Sequence, residues 1–317
     1  MDLPFLRANP HLLPTFLAHQ RLRTTPVPGG SISVAERIVL DDGTQLFLKT
    51  WPGGVSAAPT AEATVAPAGL FAAEADGLRW LRAAGGVAVP EVYAVTGELL
   101  LLEWIEHAEP SAAAAERCGR RLATTHRAGA PCFGAAVSLH TAPTGAGQRS
   151  RTPDAAVPAG FLAGLPLGDT PGEDWPTWFR ENRILPLLEL AVDAGGLDPA
   201  DAALVATIHI EAPSEPPARI HGDLWPGNIV WGRADTPWLI DPAAHGGHRE
   251  TDLATLTLFG GAPHFSRIIA AYNEIHPLAP GWKDRVALHT LPILLVHAAL
   301  FGRSYRAAVL DAARRYR

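Results

Sequence analysis

The sequence predicts an α+β fold of two lobes: an N-terminal antiparallel sheet with one helix, followed by a mainly helical lobe that carries a small hairpin. Three observations point there. Strand-like runs cluster before residue 105, alanine-rich helical periodicity takes over after His107, and one compact strand-turn-strand interrupts the later helices. The chain therefore divides into residues 1–104 and 105–317, with the boundary inside Glu103 to Glu109.

Taken in order, the elements follow from short-range chemistry. The first residues, with Asp2, Arg7 and prolines at positions 4, 10 and 14, are broken too often for the apolar run of a targeting signal and read as a leading helix. From Ser31 to Thr50 the pattern is extended: Ile38-Val39-Leu40 and Leu46-Phe47-Leu48-Lys49 flank the turn residues Asp41-Asp42-Gly43. Pro52 to Gly69 has no periodicity and reads as a loop. A helix spans Leu70 to Ala84 and stops at Gly85-Gly86. Two extended runs, Val87 to Val95 and Leu99 to Ile105, flank Thr96-Gly97-Glu98. Ala112 to His126 is helical. Thr141 to Asp174, rich in Gly, Pro, Ala, Thr and Ser, is expected to be a mobile or poorly ordered insertion. Helices resume at Trp175 to Ala194 and Pro199 to Ile210, and the hairpin falls at Ile229 to Trp231 and Trp238 to Ile240. The apolar stretch Leu291 to Phe301, which includes Pro292 and His297, is shorter than the ~20 residues of a bilayer span and reads as a core helix.

Composition excludes several classes of function. The 317 residues are 47% hydrophobic and 18% charged, enough apolar mass for a core and too little charge for a disordered chain. A net charge of −6 argues against binding nucleic acid or an anionic membrane, both of which rest on basic residues. Cys118 and Cys132 lack metal or redox spacing and read as reduced thiols of a cytoplasmic protein. Among the 26 basic residues only Lys49 and Lys283 are lysines. Each is worth explaining, because an ammonium and a guanidinium differ in size and fork geometry.

The chemistry concentrates in Arg219-Ile220-His221-Gly222-Asp223-Leu224-Trp225-Pro226-Gly227-Asn228 and, after the hairpin, in Leu239-Ile240-Asp241-Pro242. A loop holding Asp223 and Asn228 runs into one strand, and the return strand delivers Asp241 beside them. Amide and carboxylate oxygens are hard ligands suited to Mg²⁺, which takes few protein groups and keeps other positions for water and phosphate. Asp223 is then free to accept a proton from an attacking hydroxyl, the division of labour in protein-kinase-like phosphoryl transfer. The same spacing occurs in loops that merely cap turns, but the hairpin and the second Asp favour the catalytic reading. A separate pair supports it. Leu70, Glu74, Leu78 and Leu81 share one helix face, so Glu74 lies on an apolar stripe and needs a partner. Lys49, at the end of a strand across the preceding loop, is the matching cation. Gly29-Gly30-Ser31, ahead of the strands, could cover phosphates with backbone amides.

These segments resemble the fructosamine kinase (ketosamine-3-kinase) family. The resemblance is carried by His221 to Asn228, Asp241-Pro242-Ala243, Gly247-His248-Arg249-Glu250-Thr251-Asp252-Leu253-Ala254, Gly29 to Ile32, Phe71 to Glu74, Phe259-Gly260-Gly261 and Ala271-Tyr272-Asn273-Glu274, and it runs from Gly29 to Tyr305. It implies a two-lobed protein-kinase-like fold related to aminoglycoside phosphotransferases, with residues 1–104 as the nucleotide-binding lobe and 105–317 as the catalytic and acceptor lobe. It implies ATP and Mg²⁺ as cofactors, with Gly30, Ser31, Lys49 and Glu74 around the phosphates and Glu103 to Ile105 as the hinge that meets the adenine. Asp223 would be the base, Asn228 and Asp241 the metal ligands, and Asp252 a brace for the catalytic loop. The implied reaction phosphorylates the 3-hydroxyl of a sugar ketoamine, free or protein-bound, and the unstable product releases its amine.

The sequence departs from this family at Ala244-His245-Gly246-Gly247, where aromatic residues are common, in an extra stretch from Ser138 to Pro158, and at Val296 and Ala299, where Asn is usual beside His297. These changes touch the acceptor side. A different hydroxylated amine, such as an aminoglycoside, is therefore a second reading. A non-catalytic nucleotide-binding protein is a third, disfavoured by the complete set of catalytic groups. Trp225 reads either as a stacking surface for a sugar or as a lid on the helical core, and His297 either as a core histidine or as a sugar contact; both are kept as substrate-side candidates. His245 and His248 have zinc-like spacing, but the glycines between them favour a loop and no third ligand lies at metal spacing.

Overall fold

Alternation along the first strands decides which side chains face the cleft and which the outer core. The computed structural model describes residues 3–13, 15, 23–28, 33–52, 66–135 and 160–317, so Gly30, Ser31 and the 138–158 stretch lie outside the described residues. Strands β1 (Arg23–Pro26), β2 (Val34–Val39), β3 (Gln45–Thr50), β4 (Val92–Val95) and β5 (Leu99–Glu103) form one antiparallel sheet in the order β1-β2-β3-β5-β4. Leu46 and Leu48 of β3 enter a cluster with Ile38, Leu99, Leu101 and Leu6 of helix α1 (Leu3–Ala8). Phe47 and Lys49 therefore face the other way, into the cleft. The expected turn closes with Leu40 N–H donating to Thr44 O at 2.9 Å and with Gly43 at φ 84°, a left-handed value that glycine adopts without strain.

Two details of this sheet differ from the sequence reading. Strand β1 is additional. All four of its residues are exposed, and an exposed edge strand has no apolar alternation to read. Strand β4 begins at Val92, not Val87, because the preceding residues bond elsewhere: Val87 N–H donates to Thr125 Oγ1 at 3.0 Å and Ala88 O accepts from Leu239 at 2.9 Å.

The helices are α2 (Leu70–Ala83), α3 (Ala112–Arg127), α4 (Trp175–Phe179), α5 (Leu185–Asp193), α6 (Pro199–Ala206), α7 (Glu250–Thr255), α8 (Phe265–Ile275), α9 (Trp282–Phe301) and α10 (Arg306–Ala313). Helix α3 opens the helical lobe, capped by Ser111 Oγ, which accepts from Ala114 N–H at 3.0 Å. The single helix expected from Trp175 to Ala194 is divided by a π turn at Arg180–Ile184. Helix α6 stops before Ile210 because the Arg180 guanidinium takes up the carbonyls of Ala206 and Ile208, each at 2.6 Å. The segment up to Asp174 is not a uniform loop. Strands β6 (Gly160–Leu162) and β7 (Leu165–Leu167) pair around Ala163 and Gly164, both at positive φ, and Arg183 pins the following turn through Asp169 Oδ1 at 2.7 Å.

Strand β8 (Ala218–Ile220) leads into the His221 to Asn228 segment, and β9 (Ile229–Gly232) and β10 (Thr236–Leu239) form the expected hairpin. The region expected as a loop around His245 is instead strand β11 (His245–Gly247), paired with β8. Its glycine is required by packing: a Cβ at Gly246 would sit 2.1 Å from Cys132 O. Apolar residues gather in three clusters: one under α1, one around α5 and α9, and one running from α2 and β5 through Leu224, Ile229 and Leu239 to α3 and α8. The last belongs to both halves of the chain. Helix α9 is long and apolar enough to cross a membrane, yet it carries Pro292 and packs as a core helix against α5, α7 and α10.

Helices α3 and α8 meet so closely that a Cβ at Gly119 would lie 2.1 Å from Ile268 O. Gly119→Ala is expected to cost about 1–3 kcal/mol, read as a lower urea midpoint at unchanged slope. An unaltered midpoint would show that these helices do not pack this way.

Candidate active site

On leaving β8 the chain must turn at once towards the hairpin. Gly222 permits the turn at φ 81°, where a Cβ would meet Ala243 O at 2.2 Å. The turned backbone presents the N–H groups of His221 and Gly222 to the Asp252 carboxylate on α7, at 2.7 and 2.9 Å. Asp252 is fully buried and also meets His126 Nε2 at 3.1 Å; His126 Nδ1 in turn meets the Tyr272 hydroxyl at 2.8 Å. Burial works against the charge of Asp252, but these donors outweigh it and hold its pKa below the usual carboxylate value. His221 Nε2 reaches Ile240 O at 2.9 Å and so ties the loop to the return strand.

Asp223, Asn228 and Asp241 converge at the end of the hairpin. Asn228 closes a 3₁₀ turn (Pro226–Asn228), and its amide nitrogen donates to Asp223 O at 2.8 Å and to Asp223 Oδ2 at 3.1 Å. The amide oxygen is left as the atom for a hard cation. Asp241 follows β10 in a left-handed backbone conformation, φ 55°, an uncommon and strained setting for a residue other than glycine. Its Oδ1 lies 3.1 Å from Lys49 Nζ, which also donates to Glu74 Oε2 at 2.8 Å. Lys49 and Glu74 are both buried. Burial disfavours the ammonium, yet Asp241 and Glu74 overcome that and raise its pKa, so Lys49 carries its charge. Burial pushes Glu74 up despite Lys49, and burial together with Asp241 pushes Asp223 well above the usual carboxylate range.

All of these groups line one cleft of about 970 Å³. Glu103, Ile105, Trp225 and His297 line it too, so each of the predicted site residues that the structure describes borders the same space. The Glu103 carboxylate is committed to Glu91 N–H at 3.1 Å. The Trp225 ring lies over Gly227, where a Cβ would meet it at 2.0 Å, and stands edge-on to Phe259 at 5.6 Å. Sequence reasoning missed Phe301 and Tyr305 and read Phe259 only as part of a motif; all three line the cleft. The grouping of His248 and Glu250 with His289 also escaped it, because His289 approaches only in three dimensions. The chemistry of that trio does not suit a cation. Arg285 holds both Glu250 oxygens, at 2.6 and 2.8 Å, and His248 Nδ1 accepts from Glu250 N–H, which leaves the hydrogen on Nε2 where a ligand needs a bare nitrogen.

The family model for fructosamine kinase matches residues 15–146 and 161–316. The chain belongs to the fructosamine kinase family. The "probable ketoamine kinase" of Thermus thermophilus is 35% identical over 244 residues, 77% of this chain and 81% of that protein. The protein of the same description from Enterococcus faecium is 31% identical over 298 residues, 90% and 92% of the two chains. Among solved structures, a candidate fructosamine-3-kinase from Thermobifida fusca is 40% identical, with a TM-score of 0.77 over 98% of each chain. A type I macrolide 2′-phosphotransferase, at 16% identity and a TM-score of 0.57, shares the fold. This fructosamine kinase family member is thus an ATP-dependent kinase built on the two-lobed protein-kinase-like fold.

The helix that carries Asp252 is itself fastened through Glu250. Burial would raise the Glu250 pKa, but the Arg285 fork and His289 bring it down from 4.5 to about 2. A folded-state pKa below the unfolded one means that this contribution to stability is complete above pH 4.5 and is lost as the pH falls towards 2. Glu250→Gln is expected to flatten the fall in melting temperature across that window; a curve parallel to that of the wild type would break the link.

Proposed function

We propose that this kinase transfers the γ-phosphoryl group of ATP to the 3-hydroxyl of a sugar ketoamine, of fructosamine or ribulosamine type, in the cytoplasm. The observation that carries the reading is the meeting of Asp223, Asn228 and Asp241 on one cleft wall with Lys49 opposite. Residues 1–104 act as the nucleotide lobe and 105–317 as the catalytic lobe. Asn228 and Asp241 fit Mg²⁺, being one amide and one carboxylate oxygen donor with open positions for water and phosphate. When bound, the ion neutralises phosphate charge.

The chain's own residues do the rest. Lys49, aimed by Glu74, binds phosphate oxygens, and the Glu103 to Ile105 backbone meets the adenine. Gly30 and Ser31, outside the described residues, are assigned to the phosphates by the family resemblance. Asp223 accepts the proton of the attacking hydroxyl, its carboxylate oriented by the Asn228 amide. Asp252 fixes the loop on which Asp223 stands. Trp225 and His297 border the acceptor.

Asp223→Asn is expected to bind ATP normally and to lose about 10²–10⁴-fold in kcat, measured by ADP release with fructosamine and ribulosamine acceptors; retained turnover would overturn the assignment. Lys49→Arg keeps the charge but places a planar fork between two carboxylates spaced for an ammonium. Its kcat/KM for ATP should fall about tenfold or more, and an unchanged value would remove Lys49 from the phosphate site.

A further inference from the structure

The acceptor end of the cleft is built from rings. His297 on α9 packs against Phe259, Tyr305 and Phe301 with ring centroids 4.7, 4.9 and 5.3 Å away, and Trp225, two residues beyond Asp223, meets Phe259 edge-on. All five line the cleft alongside Leu300. Phe259 and Phe301 remain 44% and 46% exposed, an arrangement of neighbouring rings that marks a surface for an apolar partner. Phe259 is held out by a strained backbone: its own φ is 52°, and Gly260 and Gly261 follow at 98° and 79°. Left-handed backbone at a bulky residue costs stability and collects where a binding site needs it.

Charge tells the same story. Among the described residues, the Lys, Asp and Glu side chains that line the cleft are Lys49, Glu74, Glu103, Asp223 and Asp241, and all but Asp223 belong to the nucleotide end. His297 adds no cation. Burial lowers its pKa, and its Nδ1–H donates to Ile293 O at 2.8 Å, which leaves Nε2 as an acceptor. A carboxylate carried by the acceptor would lose water against these rings and find no cation in exchange among the described residues. An apolar substituent would bury its surface there at a gain.

Resting on the ketoamine reading above, we infer that the amine-side substituent of the acceptor seats on the Trp225, Phe259, His297, Phe301 and Tyr305 platform, and that the enzyme selects ketoamines of uncharged, apolar or aromatic amines over those of amino acids with a free carboxylate. Trp225 places the platform next to Asp223, so a substituent on the amine side contacts the rings while the sugar hydroxyls face the base.

The test uses ketoamines of benzylamine, methylamine and glycine, each prepared from glucose and from ribose, with the full-length enzyme and ADP release as readout. The kcat/KM for the benzylamine derivative should exceed that for the glycine derivative by about tenfold or more, the factor that about 1.4 kcal/mol of ring contact supplies. The benzylamine-to-methylamine ratio, also about ten or more in the wild type, should fall towards one in Phe259→Ala and Phe301→Ala, through KM. Phe301→Leu, which keeps an apolar contact, should give an intermediate ratio; thermal melts and binding of an ATP analogue establish that each variant is folded. Preference for the glycine derivative, or an equal loss with all three acceptors, overturns the platform and leaves ketoamine phosphorylation standing. No turnover of any of the three removes the ketoamine reading and this inference with it.

Discussion

One buried carboxylate holds the His221 to Asn228 loop in place. An isolated charge in the interior is costly, and so is a buried backbone N–H without a partner. Asp252 and the amides of His221 and Gly222 resolve both problems together. None of the three groups can be satisfied unless α7, the turn after β8 and, through His126, helix α3 take one relative arrangement. The left-handed turn at Gly222 follows from that requirement, and the positions of Asp223, Asn228 and the Ile240 carbonyl follow from the turn.

A second constraint acts within the N-terminal half of the chain. Period-two alternation sends Leu46 and Leu48 under α1 and turns Lys49 into the cleft, while the buried face of α2 delivers Glu74 to meet it. This part of the site was legible in the sequence, because a carboxylate on an apolar stripe must find a cation and only one lysine lies within reach. The Asp223, Asn228 and Asp241 set was legible for a similar reason. The hairpin between Asn228 and Asp241 is short, and a short hairpin returns its two ends to the same place.

What stayed hidden has physical causes. Strands β6, β7, β8 and β11 are three residues long, too short to show a period; β8 and β11 exist because each pairs with the other across a long stretch of chain, and β6 and β7 because Ala163 and Gly164 fold them onto each other. The arginine contacts on Asp169 and Glu250 join residues 14 and 35 positions apart, so in a chain where nearly every cation is an arginine nothing local marks the ones that matter. The aromatic wall has the same origin. Phe259 comes from a loop, His297 from a helix and Tyr305 from the turn after it, and only the fold stacks them.

The lysine at the centre of the cleft has a further property. An ammonium offers three N–H donors, and at Lys49 two already point at Glu74 and Asp241. The proposed phosphate site is therefore no open positive hole; it holds one ammonium between two carboxylates. A bare phosphate arriving there would gain a single donor and face both carboxylates. A phosphate that brought its own cation would give Asp241 a new partner and free the ammonium to turn towards it. On the proposed function, nucleotide binding at this site would be an exchange of partners, with the two carboxylates disfavouring uncomplexed anions.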